Sequence, residues 1–231
     1  MGRKRTPPPF ISPTIGRSPS LNFWRGKRVL ITAGPTREPL DPVRFLSNAS
    51  SGKTGFALAA AARRRGARVT LVSGPVALPA AAGVKVIRVT TAAEMRTACL
   101  RVLPGTDVVI GAAAVADFRP LRRARRKIKK GGGMTLKLIP TSDILSSLAR
   151  RRRGNRLLMA GFALETERMA ERALAKMAAK KLDLIVANGP EALDGDRTRA
   201  MIIGRDGRRI PYAGTKARLA ERILDTLEGL P

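Results

Sequence analysis

Histidine is absent from the 231-residue sequence, and cysteine occurs once, as Cys99. Without histidine the chain cannot use a Ser-His-Asp or Cys-His triad, a histidine-containing zinc site or the commonest general base at neutral pH. A single cysteine excludes an internal disulfide and a cysteine-rich metal cluster. These absences favour a reducing, cytoplasmic setting.

Aromatic residues make up only 3% of the chain, and no apolar run approaches the roughly 18 residues of a membrane-spanning helix. The core must therefore be built from Ala, Val, Leu and Ile, and few rings are available to stack on nucleic-acid bases. With 44% hydrophobic and 27% charged residues, the composition is typical of a soluble globular protein with no membrane role.

Acidic residues are also scarce, since 17 Asp and Glu face 45 Lys and Arg, which gives a formal net charge of +28. Such an excess favours a polyanionic partner, so a nucleic-acid-binding protein is one hypothesis. The cations cluster at residues 3–5, 122–130 and 150–153. A solvated, arginine-rich surface without a dedicated partner is the alternative interpretation.

The pattern along the chain predicts a leader and one folded domain. Residues 1–26 are basic, rich in Pro and Ser and without periodicity, which predicts a disordered leader. Residues 27–231 alternate strand and helix patterns, which predicts a Rossmann-like, doubly wound, mostly parallel α/β sheet. Strands are predicted at 27–34, 67–74, 84–89, 107–117, 156–164 and 183–188, helices at 53–67, 91–103, 142–153, 165–182 and 214–230, a basic flap at 118–140 and a closing hairpin at 201–212.

The loop after the first strand is much longer than the 2 to 6 residues usual in such folds, which predicts a binding loop at the carboxyl edge of the sheet. It ends in GKT at 52–54, as a P-loop does, but Ser47 stands where that motif needs glycine. What remains is a helix N-terminus, preceded by Ser50 and Ser51, that can bind phosphate. The fold alone favours a nicotinamide-dependent reductase, but the GxGxxG fingerprint of that class is missing after the first strand.

Five segments carry a closer resemblance: ITAGPTREPLDPVRFLSNASSGKTG (31–55), AAAVADFRP (112–120), KIKK (127–130), GFALETE (161–167) and LDLIVAN (182–188). In this order they resemble the phosphopantothenate-cysteine ligases of coenzyme A biosynthesis, from about Lys27 to the C-terminus. The chain departs from the usual family pattern at Thr54, at Thr141 and Ser142, and directly after Asn188.

The resemblance implies that the carboxylate of 4′-phosphopantothenate attacks the α-phosphate of a nucleoside triphosphate, CTP in preference to ATP. The acyl-cytidylate then passes to the amine of cysteine, and CMP leaves. Neither step needs a histidine base, and Mg²⁺ held mainly by substrate oxygens would neutralise the triphosphate. The resemblance also implies a homodimer. Because only a short leader precedes the match, we expect a monofunctional ligase without flavin, with a separate decarboxylase as a candidate partner.

The resemblance further implies roles for individual residues. Asn48 would donate a hydrogen bond to the acyl oxygen, and Lys127 would grip the phosphates during nucleotidyl transfer, assisted by Lys129 and Lys130. Nucleotide contacts are expected at Gly111, Ala112, Ala113, Asp117, Lys127, Ser142, Asp143, Ile144, Phe162, Lys176 and Lys180. Contacts to phosphopantothenate are expected at Arg44, Asn48, Ser50, Ser51, Gly52 and Lys53. Metal ligands are not assigned. Taken without the resemblance, packing, turn and solvated-charge roles are the alternative interpretation of these residues, and they are the default for the KIKK lysines, Lys176, Lys180 and Asn48.

Overall fold

The computed structural model describes residues 23–152, 157–190 and 195–231. The strands are β1 (Arg28–Ala33), β2 (Arg37–Pro39), β3 (Phe45–Ser47), β4 (Arg68–Ser73), β5 (Lys85–Arg88), β6 (Val108–Gly111), β7 (Phe118–Pro120), β8 (Leu138–Pro140), β9 (Leu158–Leu164), β10 (Leu184–Asn188), β11 (Arg197–Gly204) and β12 (Arg209–Thr215). The helices are α1 (Lys53–Arg64), α2 (Ala92–Val102), α3 (Ile144–Ala149), α4 (Met169–Ala179) and α5 (Lys216–Glu228).

Eight strands form one sheet in the order β12-β11-β10-β9-β6-β1-β4-β5. The six from β10 to β5 pair in parallel, and β11 and β12 extend the sheet as an antiparallel hairpin. The predicted Rossmann-like, mostly parallel sheet is therefore confirmed. The chain runs outward from β1 to β4 and β5 and then returns to β6 on the other side of β1. Ligands bind such sheets at this kind of reversal.

Both faces of the sheet are covered, so neighbouring strand residues are buried in opposite directions. Ile31 packs with α1 and α5, whereas the adjacent Leu30 packs with α2, α3 and α4, and both side chains are 0% exposed. This explains why the central strands read as continuous apolar runs rather than as alternating ones.

Helices α1 and α5 pack against each other on one face, and ion pairs join them. The guanidinium of Arg65 lies 2.6 Å from Glu221 and 2.7 Å from Asp225, and Arg64 lies 2.6 Å from Glu221. Inside this layer, a Cβ added to Gly55 would lie 2.5 Å from the Cβ of Ala33. Helix α1 therefore lies closer to β1 than any side chain at position 55 allows.

The predicted flap is confirmed as a segment outside the main sheet. Strands β7 and β8 form a separate antiparallel ribbon, and residues 121–137 leave and return between them. Only three residues of the alternating MTLKLIP segment become strand. A second small ribbon, β2 with β3, lies in the long loop after β1.

Several predicted boundaries were wrong. The strand predicted at 107–117 ends at Gly111, where its parallel pairing with both β1 and β9 ends. Beyond this point Ala112 and Ala114 still donate their backbone N–H groups to Thr32 and Gly34 at the end of β1. The helix predicted at 165–182 is confined to 169–179.

Part of the predicted leader belongs to the folded domain. Trp24 is only 2% exposed in the core, and the N–H of Gly26 donates to the carbonyl of Gly66. Residues 1–22 lie outside the described residues, so the predicted disorder there stays a prediction.

Candidate active site

A cleft of about 760 Å³ opens at the carboxyl ends of the central parallel strands, beside the reversal between β1 and β6. It gathers most of the residues predicted from the sequence, although they come from distant parts of the chain. The predicted residues that line it are Asn48, Ser50, Ser51, Gly52, Lys53, Gly111, Ala112, Ala113, Asp117, Ser142, Asp143, Ile144, Phe162, Lys176 and Lys180.

One end of the cleft, which we call the α1 end, is built by residues 50–53. Gly52 precedes helix α1 with a φ of 75°, a conformation that favours glycine, and no side chain caps the helix. The first turn of α1 also contains no acidic residue, so its N–H groups present a positive electrostatic field to an anion. The Lys53 ammonium lies 2.7 Å from Asp196, and this hydrogen bond and charge lower the pKa of the Asp196 carboxyl.

The other face of the sheet contributes what we call the α4 end of the cleft, which carries Lys176 and Lys180 one helical turn apart. The Lys180 ammonium lies 2.6 Å from Asp143, whose other oxygen accepts the N–H of Ser146 and caps α3. Burial raises the pKa of Asp143, but the bonds from Lys180 and Ser146 outweigh it and lower that pKa. Burial and the charge of Lys180 lower the pKa of Lys176.

The strand ends between these two lysine groups are held by threonine hydroxyls. The N–H of Ala113 donates to Oγ1 of Thr32, and Oγ1 of Thr141 donates to the carbonyl of Ala116 at 2.6 Å. Thr141 is one of the departures from the family pattern, and here it ties the end of β8 to the segment after β6. The small residues 111–113 therefore form a fixed, open floor for the cleft.

Asn48 lies in the cleft, but its donors are engaged in this structure. Its Nδ2 lies 3.0 Å from the carbonyl oxygen of Val115 and 3.3 Å from that of Ala114. Both partners accept only, so the NH₂ side of the amide must face them. The bond to an acyl oxygen predicted for Asn48 requires a change in these contacts. In this structure Asn48 ties the long loop to the edge of the cleft.

Four predicted residues are not among those that line the cleft, namely Arg44, Lys127, Lys129 and Lys130. The Arg44 guanidinium contacts Asp41 and the carbonyl of Ile128. Lys127 is exposed on the flap, directly beside Ile128. Sequence order places KIKK after the AVAD segment, but it contains no information on how far the flap extends from the cleft.

The structure adds cleft residues that sequence reasoning missed, among them Thr32, Thr141, Asn188 and Lys216. Asn188 ends β10, and its buried Oδ1 has no hydrogen-bond partner in the described part of the chain. Its position at the carboxyl end of a parallel strand was the signal that could have found it. Lys216 begins α5 and is only 4% exposed, and no local pattern marks it.

The acidic residues that line the cleft are Asp117 and Asp143, and Asp143 is paired with Lys180. Among the described residues, no group of three or more Asp, Glu, Cys or His is arranged to hold a metal ion. Within the same residues, no helix is both long and apolar enough to cross a membrane.

Comparison with known proteins places this geometry in a family. Residues 24–230 match the profile of the DNA/pantothenate metabolism flavoprotein C-terminal domain. The chain belongs to this family. The match confirms the resemblance drawn from the five sequence segments.

One relative of the chain is the coenzyme A biosynthesis bifunctional protein CoaBC of Escherichia coli strain K12. It is 41% identical over 234 residues, which cover 98% of this chain and 57% of that protein. CoaBC of Bacillus subtilis strain 168 is 48% identical over 190 residues, 80% of this chain and 46% of that protein. The chain thus spans about half the length of these relatives.

A solved structure supports the same assignment. The crystal structure of the C-terminal domain of CoaBC superposes with a TM-score of 0.76 at 38% identity. The alignment covers 88% of this chain and 95% of that one. The described fold is therefore that of the C-terminal half of the bifunctional relatives.

Proposed function

We propose that this chain joins 4′-phosphopantothenate to cysteine through an acyl-cytidylate, with CTP converted to CMP and pyrophosphate. The observation that carries the proposal is a cleft at the strand reversal that is lined by Lys53 from α1 on one face of the sheet and by Lys176 and Lys180 from the other face. Both 4′-phosphopantothenate and CTP carry phosphate groups, so the active site needs two separate sites that bind negative charge. The relatives named for coenzyme A biosynthesis support the same substrates.

In the first step, the substrate carboxylate oxygen attacks the α-phosphorus, a P–O bond forms, and pyrophosphate leaves. The protein contributes position and positive charge, which is what phosphoryl-type transfer demands. We assign the triphosphate to Lys176 and Lys180 at the α4 end, and the cytidine to the floor at 111–113 with Asp117 beside it. Ser142, Ile144 and Phe162 complete the nucleotide side.

In the second step, the cysteine amine attacks the acyl carbon, the C–N bond forms, CMP leaves and the amine loses a proton. We assign the phosphate of phosphopantothenate to residues 50–53 at the α1 end. No protein thiol takes part, because Cys99 is buried in the core and burial raises its pKa to about 12. The substrate amine is itself the nucleophile.

Mg²⁺ fits this site as an ion held mainly by triphosphate oxygens, because the cleft offers few free carboxylates and Mg²⁺ commonly keeps substrate and water ligands. When bound, it would neutralise charge on the triphosphate. The preference for CTP over ATP, the lack of flavin and a cytoplasmic location belong to the same proposal.

Association into a homodimer is also proposed, with a separate decarboxylase as a further partner. Of the eight large exposed apolar side chains among the described residues, all but Leu164 fall on the two small ribbons and on the flap: Val43, Phe45, Phe118, Leu121, Met134, Leu136 and Leu138. Contiguous apolar surface of this kind commonly marks an interface. A second copy that covers these ribbons would also place a flap beside each cleft.

Pyrophosphate release, measured with phosphopantothenate and with CTP or ATP in turn, tests the proposal. We expect release that depends on phosphopantothenate, is faster with CTP and does not need cysteine for a first turnover. Equal or faster release with ATP would contradict the nucleotide choice, and no release with either would contradict the activity. Salt-dependent gel shifts and calorimetry with nicotinamide cofactors test the two alternatives, and sedimentation tests the dimer.

The predicted role of Asn48 is tested by rapid quench with labelled CTP. Loss of one oxyanion donor typically slows a step by about 100-fold, so Asn48→Ala should form acyl-cytidylate normally and pass it slowly to cysteine. If Asn48 only holds the edge of the cleft, both steps fall together. Asn48→Asp sharpens the test, because its carboxylate would repel the two carbonyls that Asn48 now contacts.

A further inference from the structure

Asp41 is a buried carboxylate in the long loop, only 2% exposed, and its two oxygens have different partners. Oδ1 accepts the N–H groups of Val43 and Arg44 at 2.8 and 2.9 Å. This is the local turn that an aspartate commonly makes with the residues that follow it. The turn therefore accounts for the hydrogen bonds of Oδ1 but not for those of Oδ2.

The second oxygen reaches the flap. Oδ2 of Asp41 accepts the N–H of Ile128 at 3.1 Å, across 87 residues of sequence, and the Nε of Arg44 at 2.9 Å. Arg44 in turn donates from Nη2 to the carbonyl of Ile128. The Asp41–Arg44 pair thus engages both backbone polar groups of Ile128, as a neighbouring strand would.

Ile128 is the second residue of KIKK, so these bonds hold the backbone between Lys127 and Lys129. The rest of the flap is attached at few points. Ala124 donates its N–H to the carbonyl of Leu40, whereas the bond from Leu121 to the carbonyl of Lys137 joins two flap residues to each other. The attachments at Ala124 and Ile128 are therefore both made by the long loop after β1, at residues 40, 41 and 44.

We propose that Asp41 is a positioning residue that, together with Arg44, holds the flap at Ile128 and thereby sets where the lysines of KIKK lie. The proposal rests on the proposed function and on the role that the resemblance implies for Lys127, contact with the transferring phosphate. It changes the role of Arg44, which in this arrangement holds the flap. It also links the loop that carries Asn48 to the flap that carries Lys127.

Limited trypsin digestion tests the hold without reference to activity, because KIKK supplies its own cleavage sites. Mass spectrometry would give the rate of cleavage after Lys127 and after Lys129. Cleavage follows the fraction of time that a segment is open, so Asp41→Asn should raise both rates by about fivefold or more. Asp206→Asn is the matched control, since Asp206 makes a similar local contact to Arg208 in the β11–β12 turn.

Pyrophosphate release tests the consequence. If Asp41 acts through Lys127, Asp41→Asn should lower kcat by about tenfold, and this loss should shrink to less than about twofold when Lys127 is already Gln. A purely structural role would give the same fold loss in both backgrounds. Arg44→Ala, at a more exposed position, provides a second variant if Asp41→Asn does not fold.

Unchanged cleavage after Lys127 in both Asp41→Asn and Arg44→Ala would contradict the proposal that these residues hold the flap at Ile128. Equal kinetic losses from Asp41→Asn in the wild-type and Lys127→Gln proteins would contradict an effect of Asp41 through Lys127. If neither the wild type nor any variant releases pyrophosphate, the proposed function fails. The trypsin result then still decides the hold at Ile128.

Discussion

The parallel sheet and the flap hold their residues in opposite ways. Sheet residues such as Leu30 and Ile31 are fixed by packing on both faces, and each has many neighbours. The flap between β7 and β8 exposes Met134 and Leu136 and is attached to the domain at a few hydrogen bonds. The sheet therefore gives the cleft a rigid shape, whereas the cations of the flap depend on individual contacts.

The largest expected contrast concerns access to the two regions. Cys99 is buried in α2, and burial raises the pKa of its thiol to about 12, so a thiol reagent should label it about 1000-fold more slowly in the native protein than in urea. Trypsin should cut the flap under the same native conditions. Labelling and cleavage are followed together by mass spectrometry. Rapid native labelling of Cys99 would contradict the rigid sheet.

Substitution of Lys127 should remove function without affecting the fold. We expect Lys127→Gln to slow pyrophosphate release by about 100-fold, since a cation that faces a transferring phosphate stabilises the transition state, while the melting temperature stays unchanged. Lys137→Gln, an exposed lysine elsewhere in the flap, is the control and should change neither quantity. Release at the wild-type rate would make Lys127 a solvated charge.

Two glycine substitutions, one beneath α1 and one in the flap, should change the free energy of unfolding by different amounts. Gly55→Ala places a methyl group against Ala33 beneath α1 and should destabilise the fold by about 2 kcal/mol. Gly132→Ala has nothing within 4 Å and should stay within about 0.5 kcal/mol of the wild type. Urea unfolding measures both. Equal losses would show that the flap packs as tightly as the sheet.

The smallest expected effect is on the pH dependence of stability, and it concerns Asp41, which joins the long loop of the domain to the flap. Burial raises the pKa of Asp41, but hydrogen bonds from Val43, Ile128 and Arg44 outweigh it and lower that pKa to about 2. Such a carboxylate stabilises the folded state above its unfolded pKa of about 4, and this stabilisation is lost as the pH falls toward 2. Asp41→Asn should therefore lose less stability than the wild type over that window.

Urea midpoints at several pH values across this window provide the measurement. Asp206→Asn is again informative, because the pKa of Asp206 is also lowered, so it should flatten the same curve. Unlike Asp41→Asn, it should leave the tryptic pattern of the flap unchanged. Parallel curves for wild type and Asp41→Asn would contradict the assigned hydrogen bonds.

The sequence was informative where local pattern and burial coincide. The apolar run at 28–33 predicted β1, because β1 is buried on both faces of the sheet. The small apolar residues after Lys53 predicted α1, because they are buried in the core that this helix shares with the sheet. The strand predicted to reach residue 117 ends at Gly111, because its pairing with both neighbouring strands, β1 and β9, ends there. The apolar run at 112–116 contains no information on where the partner strands stop pairing.

The candidate site divides in the same way. Asp117 and Ser50, in the loops after β6 and β1, line the cleft. Their place at this edge could be predicted because parallel strands end at a common edge, whereas their contacts to substrate stay predictions. The contacts of Asn48 and Arg44 were not predicted, because their partners lie 66 to 84 residues away. Long-range partner choice of this kind depends on the folded structure.

The packing of α1 against α5 brings the first residues of both helices to the cleft. Lys53 and Lys216 begin these helices, and both line the cleft. The ion pairs of Arg64 and Arg65 with α5 lie about 17 Å along α1, at the rise of 1.5 Å per residue. On α5 the same pairs begin at Glu221, about 7.5 Å from Lys216 at the same rise per residue. The far end of α1 is therefore bound to the first half of α5, and this contact helps to fix the relative position of the two helices whose first residues line the cleft.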